Sequence, residues 1–208
     1  MKKLFLLISI ASFSFYIQAQ TLQMKPPTKK GGMPLMQALN ERQSIREFST
    51  ESLTEQQVSD LLWAALGVNR PDKDNRRTSP TARNAQEIEV YVFTQSGVYF
   101  YDALNHELKT IKTGDFRTEA VKQPFAQVAP IILVYVANYD KLSNMDEAAM
   151  ALYGATDCGF VSQNVYLYCA SEGLATVVVG SIDRDALSLF LGIQNGKIIL
   201  AQPVGNKK

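Results

Sequence analysis

The chain has 208 residues, 46% of them hydrophobic and 20% charged, and 21 Lys and Arg stand against 20 Asp and Glu for a net charge of +1. This excludes a wholly disordered, collagenous or coiled-coil chain, and it offers no global charge with which to hold nucleic acid or a membrane surface. The length fits one domain, or two small ones, able to bury about 70% of the unfolded surface without staples. Two cysteines, Cys158 and Cys169, and a single His106 give poor support to a Cys/His zinc site or a Cys–His–Asp triad.

Residues 1–19 read as a secretory signal peptide. Lys2 and Lys3 precede a 14-residue apolar run over residues 4–17, and Ala19 offers a small residue at the cut. The run falls short of the ~20 residues that a membrane span needs. The expected product is exported, to the periplasm. Residues 20–34 carry Pro26, Pro27, Gly31 and Gly32 among lysines and are expected as a flexible leader. The folded domain is expected over residues 35–208.

Leu35, Met36, Ala38 and Leu39 predict a short helix, left through an irregular segment over residues 43–48. The next helix has clear ends. Thr54 is an N-cap with Gln57 completing a capping box, and Leu53 and Val58 suit a hydrophobic staple. Val58, Leu61, Leu62, Ala65 and Leu66 form its apolar stripe, with Gly67 closing it as the C′ residue. Trp63 reads as a packing residue. Residues 69–83 read as a polar loop with Arg70, Arg76, Arg77 and Arg83.

Ile88, Val90 and Val92 alternate through a strand over residues 87–94. Strands over 98–101 and 107–111 continue it as an antiparallel meander, which leaves His106 exposed on a turn. Residues 114–123 are expected to be helical. Residues 130–137 are continuously apolar and predict a buried central strand. The longest helix is expected over residues 145–170; apolar all round, it should be buried on all sides. Cys158 and Cys169 lie ~16 Å apart along it and cannot bridge. Gly154, Cys158 and Ser162 form a small-residue ridge suited to packing within the chain or to a subunit interface. A strand over 176–179, a capped helix over 183–191 and a strand over 197–204 complete an α+β pattern of helices flanking a mixed, mostly antiparallel sheet.

No Gly-x-Gly-x-x-Gly fingerprint is present. The informative cluster is Arg42-Gln43-Ser44-Ile45-Arg46, where two arginines and a hydroxyl follow a helix end. Such a set can hold a phosphate through charge-assisted bonds worth about 1.5–3 kcal/mol each. Taken alone it also reads as a solvated basic turn.

Residues 42–48, Arg-Gln-Ser-Ile-Arg-Glu-Phe, resemble the opening motif of the nitroreductase family of FMN flavoproteins. Ser79-Pro80-Thr81-Ala82-Arg83-Asn84-Ala85-Gln86 resembles that family's Pro-Ser-x-x-Asn-x-Gln loop. Asp157-x-Gly159, Gln163-Asn164 and Gly173-Leu174 resemble its central helix, and residues 176–181 the strand and turn that follow. The four motifs run in order over residues 35–206. The meander Gly97-Val98-Tyr99-x-Tyr101-Asp102 with His106 is similar to the SagB-type branch, which oxidises azoline rings in peptides.

The resemblance implies a homodimeric α+β sandwich with two FMN molecules at the subunit interface and the small-residue ridge as the dimer core. It implies that Arg42, Gln43, Ser44 and Arg46 hold the phosphate and ribityl chain, with Lys207 reinforcing them. Asn84 and Gln86 would meet the polar edge of the ring, and Pro80 and Thr81 would come from the partner subunit. Backbone groups at Val179, Gly180 and Ser181 would face flavin N5 and O2. The activity implied is ping-pong electron transfer to or from a small planar substrate: a nitroaromatic, a quinone or a heterocycle. A non-catalytic flavin- or ligand-binding envelope protein on the same fold is the alternative. Three residues depart from the family pattern: Gln43 in place of a second basic residue, Glu87 in place of Pro, and Ser181 in place of Gly.

Overall fold

The computed structural model describes residues 20–208, so the expected signal peptide over residues 1–19 lies outside the described residues. Strand β1 (Thr21–Gln23) is followed by helices α1 (Leu35–Glu41) and α2 (Glu55–Leu66). A short hairpin, β2 (Val68–Arg70) and β3 (Arg76–Arg77), precedes the meander β4 (Ile88–Thr94), β5 (Gly97–Asp102) and β6 (Glu107–Thr113). Single-turn helices α3 (Arg117–Ala120) and α4 (Pro124–Gln127) lead into β7 (Ile131–Asn138). Helix α5 (Glu147–Ser171), β8 (Ala175–Thr176), α6 (Arg184–Leu191) and β9 (Gly196–Gly205) follow.

Seven strands form one sheet in the order β1-β6-β5-β4-β7-β9-β8. Neighbouring strands are antiparallel at every pairing, so the expected α+β class holds. Strand β7 is central and shows why its sequence is continuously apolar. Side chains alternate across a sheet, so Ile131, Leu133, Tyr135 and Ala137 enter the core beneath α2 and α5. Ile132, Val134 and Val136 enter a second core on the opposite face, with residues from α3, α4 and α6. No helix among the described residues is long and apolar enough to cross a membrane.

Helix α2 begins as its sequence predicts. The Thr54 hydroxyl accepts from Gln57 N at 3.2 Å, and Thr54 N donates to Gln57 Oε1 at 2.9 Å. Such a cap contributes about 1 kcal/mol. Its end differs from expectation. Gly67 is extended at φ −61° and ψ 153° rather than left-handed, because the chain passes straight into β2. Residues 69–83 are likewise not a plain loop, since β2 and β3 pair within them.

Further expectations are corrected. The segment read as a flexible leader is laid along the domain: β1 pairs with β6, and Met33 N donates to Ser171 Oγ at 2.7 Å. Residues 114–123 hold only the single turn of α3, and the strand expected over 176–179 stops at Thr176, with Val179 joined to Ala201 by an isolated bridge. His106 is half-buried rather than exposed. Its Nε2 lies 2.8 Å from Ser59 Oγ and 3.1 Å from the Lys25 carbonyl, and its Nδ1 lies 2.9 Å from the Tyr101 hydroxyl. Burial lowers its pKa. The ring clasps the leader to α2 and the meander.

Helix α5 departs from its reading in an informative way. The ridge of Gly154, Cys158 and Ser162, expected as the dimer core, is buried within the chain. A Cβ on Gly154 would stand 2.8 Å from the Cβ of Ala137, so the missing side chain lets α5 lie close on β7. The opposite face carries Leu152 at 64% exposure and Phe160 at 42%. A helix that is apolar all round is here covered on one side only.

Candidate functional site

The Arg42 motif takes its shape from where α1 ends. Arg42 is the C-cap of that helix, and the chain then runs extended. Ile45 N donates to the Thr176 carbonyl at 2.9 Å, and Phe48 forms a bridge with Lys207. Phe48 is buried and Ile45 packs beside it in the second core. These two apolar anchors leave Gln43, Ser44 and Arg46 facing outward. The bridge at Phe48 also brings the C-terminal Lys207 alongside.

Arg42, Gln43 and Lys207 line one cleft of about 240 Å³ with Ile45, Tyr166 and Thr176. Tyr166 on α5 organises it. The Arg42 guanidinium lies over the Tyr166 ring, 5.2 Å from its centre. The Tyr166 hydroxyl is 2.9 Å from Ser44 Oγ and accepts from Val178 N at 2.8 Å. Glu41 also borders the cleft, and its carboxylate accepts from Gln37 Nε2 at 2.8 Å, one helical turn back. Two cations and an amide around one small cleft, with the neighbouring Ser44 hydroxyl held by Tyr166, form a donor set suited to a phosphate. Ser44 and Arg46 are exposed and neither lines this cleft, although Ser44 meets it through Tyr166.

Pro80, Thr81, Asn84 and Gln86 lie elsewhere. Their loop reaches α5 at Asp157, whose Oδ2 accepts from Ala82 N at 3.2 Å. Asp157 and Tyr166 are nine residues apart on one helix, which is about 13 Å of rise and half a turn round. None of the four loop residues lines the Arg42 cleft of the same chain. Asn84 and Gln86 bond mainly within the loop: Asn84 donates to the Asp74 carbonyl, and Gln86 accepts from Arg77 and donates to Asn84. Arg83, Asn84 and Gln86 all adopt positive φ, near 55°. Such non-glycine backbone strain clusters at functional sites. Val179 pairs with Ala201, the Gly180 carbonyl accepts from Arg184, and the Ser181 carbonyl accepts from Lys122 N. None of the three lines the Arg42 cleft, and the neighbouring Val178 N donates to the Tyr166 hydroxyl at its edge.

Glu87, the residue in place of Pro, is fully buried at the base of the loop. Its Oε2 accepts from the Thr81 hydroxyl at 2.7 Å, while Oε1 has no partner. Burial, followed by the neighbouring Asp157 carboxyl, pushes its pKa up to about 7 against the pull of the Thr81 hydrogen bond. The loop is therefore stapled to α5 through two adjacent acids. Cys158 and Cys169 are both buried and free, and burial pushes the Cys158 thiol up to about 12 and raises the Cys169 thiol as well, which disfavours the reactive thiolate.

Sequence reasoning missed Tyr166 and the Glu87–Asp157 pair. Tyr166 sits in an apolar helix and reads as one more packing aromatic. Glu87 was visible as a departure from the family pattern, but its burial was not.

The sequence profile of the nitroreductase family matches residues 39–206. A Methanocaldococcus jannaschii protein named for the nitroreductases is 33% identical over 183 residues, spanning 83% of this chain and 91% of its own. A crystal structure from Ralstonia eutropha, also named for the nitroreductases, matches with a TM-score of 0.86 at 36% identity and covers 90% of each chain. The Vibrio harveyi NADPH:FMN oxidoreductase shares the fold at a TM-score of 0.63 and 19% identity, covering 84% of this chain and 69% of its own. With its α+β sheet, its cleft at Arg42 and these matches across most of its length, the chain belongs to the nitroreductase family.

Proposed function

We propose that the protein is an FMN-dependent oxidoreductase that works as a homodimer on a small planar substrate. The observation that carries this reading is the cleft in which Arg42, Gln43 and Lys207 meet beside Ser44 and Tyr166. Its donors fit a phosphate: Arg42 and Lys207 would supply charge and Gln43 a directional hydrogen bond, and Ser44, next in the chain, would add another. FMN, when bound, supplies reversible two-electron chemistry at its ring. The chain's own residues bind and orient it and exclude water, so no catalytic triad is required.

The homodimer is supported by the outer face of α5 and by α1, where Leu35, Met36, Leu39, Leu152 and Phe160 are exposed. Exposed apolar side chains gathered on these two helices call for a cover. A second copy would also supply the strained loop of Pro80, Thr81, Asn84 and Gln86, which does not reach the Arg42 cleft of its own chain. In this reading Arg46 reinforces the charge at the rim of the site, and the backbone at Val179, Gly180 and Ser181 faces the ring.

Export to the periplasm, the proposal that follows from residues 1–19, implies a donor other than NAD(P)H. A SagB-type reaction meets that condition, because the heterocyclic substrate itself reduces the flavin and oxygen takes the electrons. The test loads the purified protein with FMN and follows flavin absorbance anaerobically, with nitroaromatics, quinones and azoline peptides, and with NADPH. Bleaching by a donor and recovery with an acceptor, in separate half-reactions, is expected. A protein that retains FMN but exchanges electrons with none of them is a non-catalytic flavin-binding protein. Rapid, saturable oxidation of NADPH at micromolar KM contradicts the proposed donor.

A further inference from the structure

Tyr166 joins three segments that are distant in sequence. Its ring lies under the Arg42 guanidinium, and its hydroxyl bonds both Ser44 and the backbone of Val178. One of these bonds has a fixed direction, while in the Ser44–Tyr166 pair either hydroxyl can donate. A backbone N–H only donates, so Val178 N–H occupies the phenol oxygen as donor. Among the described residues the acceptor within reach of the phenol proton is Ser44 Oγ, and only with Tyr166 as donor is that proton bonded within the chain. A hydroxyl has one proton. In the direction where Tyr166 donates, Ser44 keeps that proton free to turn outward.

We propose that Tyr166 is a positioning residue for the anion, relaying the polarity of the Val178 amide so that Ser44 presents its proton, not its lone pairs, to a phosphate. The ring face meanwhile holds Arg42 as the second donor. A phosphate ester near neutral pH is rich in acceptors and selects donors. A Ser44 hydroxyl that donated to Tyr166 instead would turn lone pairs toward the anion and repel it. This inference rests on the reading that FMN occupies the cleft, and it gives Tyr166 a role that reading alone does not assign.

The experiment compares FMN with riboflavin, the same ring without the phosphate. Flavin fluorescence titrations are run on the purified wild-type protein, Tyr166→Phe, Ser44→Ala and the double variant. Tyr166→Phe keeps the ring under Arg42 and removes the relay. It should weaken FMN about 3- to 10-fold, the worth of one hydrogen bond, and leave riboflavin unchanged. The double variant should bind FMN no more weakly than Ser44→Ala, because both act through one hydroxyl. Equal losses for both flavins in Tyr166→Phe, or losses that multiply in the double variant, overturn the proposal. Ser44 is exposed, so its variant keeps the test sound if Tyr166→Phe fails to fold. A Ser44→Ala protein that holds FMN as tightly as wild type also overturns it. Wild type that binds neither flavin removes the FMN reading and the proposal together; wild type that binds FMN without preference over riboflavin removes the proposal alone.

Discussion

Alanine at Gly154 and alanine at Gly159 separate packing inside the chain from packing between chains. Both glycines lie on α5, so both substitutions gain the same helix propensity, about 1 kcal/mol. Their surroundings differ. At Gly154 the new methyl would stand 2.8 Å from the Ala137 Cβ, roughly 1 Å inside ordinary carbon contact. Both methyls are fixed to backbone, so α5 must lift from β7, at about 1–3 kcal/mol. At Gly159 nothing lies within 4 Å in the chain. Gly154→Ala should therefore be less stable than Gly159→Ala by about 1–3 kcal/mol, or roughly 2–4 °C in Tm for each kcal/mol in a domain of this size. Urea melts at several protein concentrations are the assay. The loss at Gly154 should be independent of concentration, with an unchanged m-value. A loss at Gly154 that disappears at high concentration would place the small-residue ridge between subunits and refute the account of how α5 packs.

Glu87→Gln should flatten the pH dependence of stability. In wild type the Glu87 pKa rises from 4.5 to about 7 on folding, so the folded state holds its proton longer. Stability then falls as pH rises from about 4.5 to about 7, by an amount on the order of 1–3 kcal/mol, and is level above that. Thermal melts from pH 4 to 8 test it; an unaltered slope in Glu87→Gln contradicts the buried acid pair. Arg42→Ala should weaken FMN by roughly 10- to 150-fold, the worth of one charge-assisted bond. Equilibrium dialysis measures this, and an unchanged affinity would move the phosphate away from the cleft. Cys158 and Cys169 should resist thiol reagents until the protein unfolds, because both are buried and held as thiols. Reaction of either in the native protein at neutral pH argues against that burial.

Local signals in the sequence located the elements whose physics is local. The Thr54–Gln57 box and its apolar stripe mark α2, and the unbroken run at 131–137 marks a strand buried on both faces. The Arg42 and Ser44 pair is legible as a motif because the residues lie two positions apart in sequence. What was hidden depends on distance along the chain. His106 reads as an exposed turn residue until Ser59 and Lys25, 47 and 81 positions away, close on its ring. Tyr166 carries no mark of its role in the sequence, which shows only when Ser44, 122 positions away, bonds its hydroxyl. Periodicity shows that Gly154, Cys158 and Ser162 share a face, but both a sheet and a second helix welcome small residues there. The side that β7 claimed follows from topology, which a helical repeat does not encode.

The most direct test of the account is a titration of the purified, salt-washed protein with FMN, read by absorbance and fluorescence, with its mass in solution measured alongside. The account predicts a dimer that takes up one FMN per chain to saturation and prefers FMN to riboflavin. A protein that stays colourless at saturating FMN would contradict it and leave the Arg42 cleft to another anion.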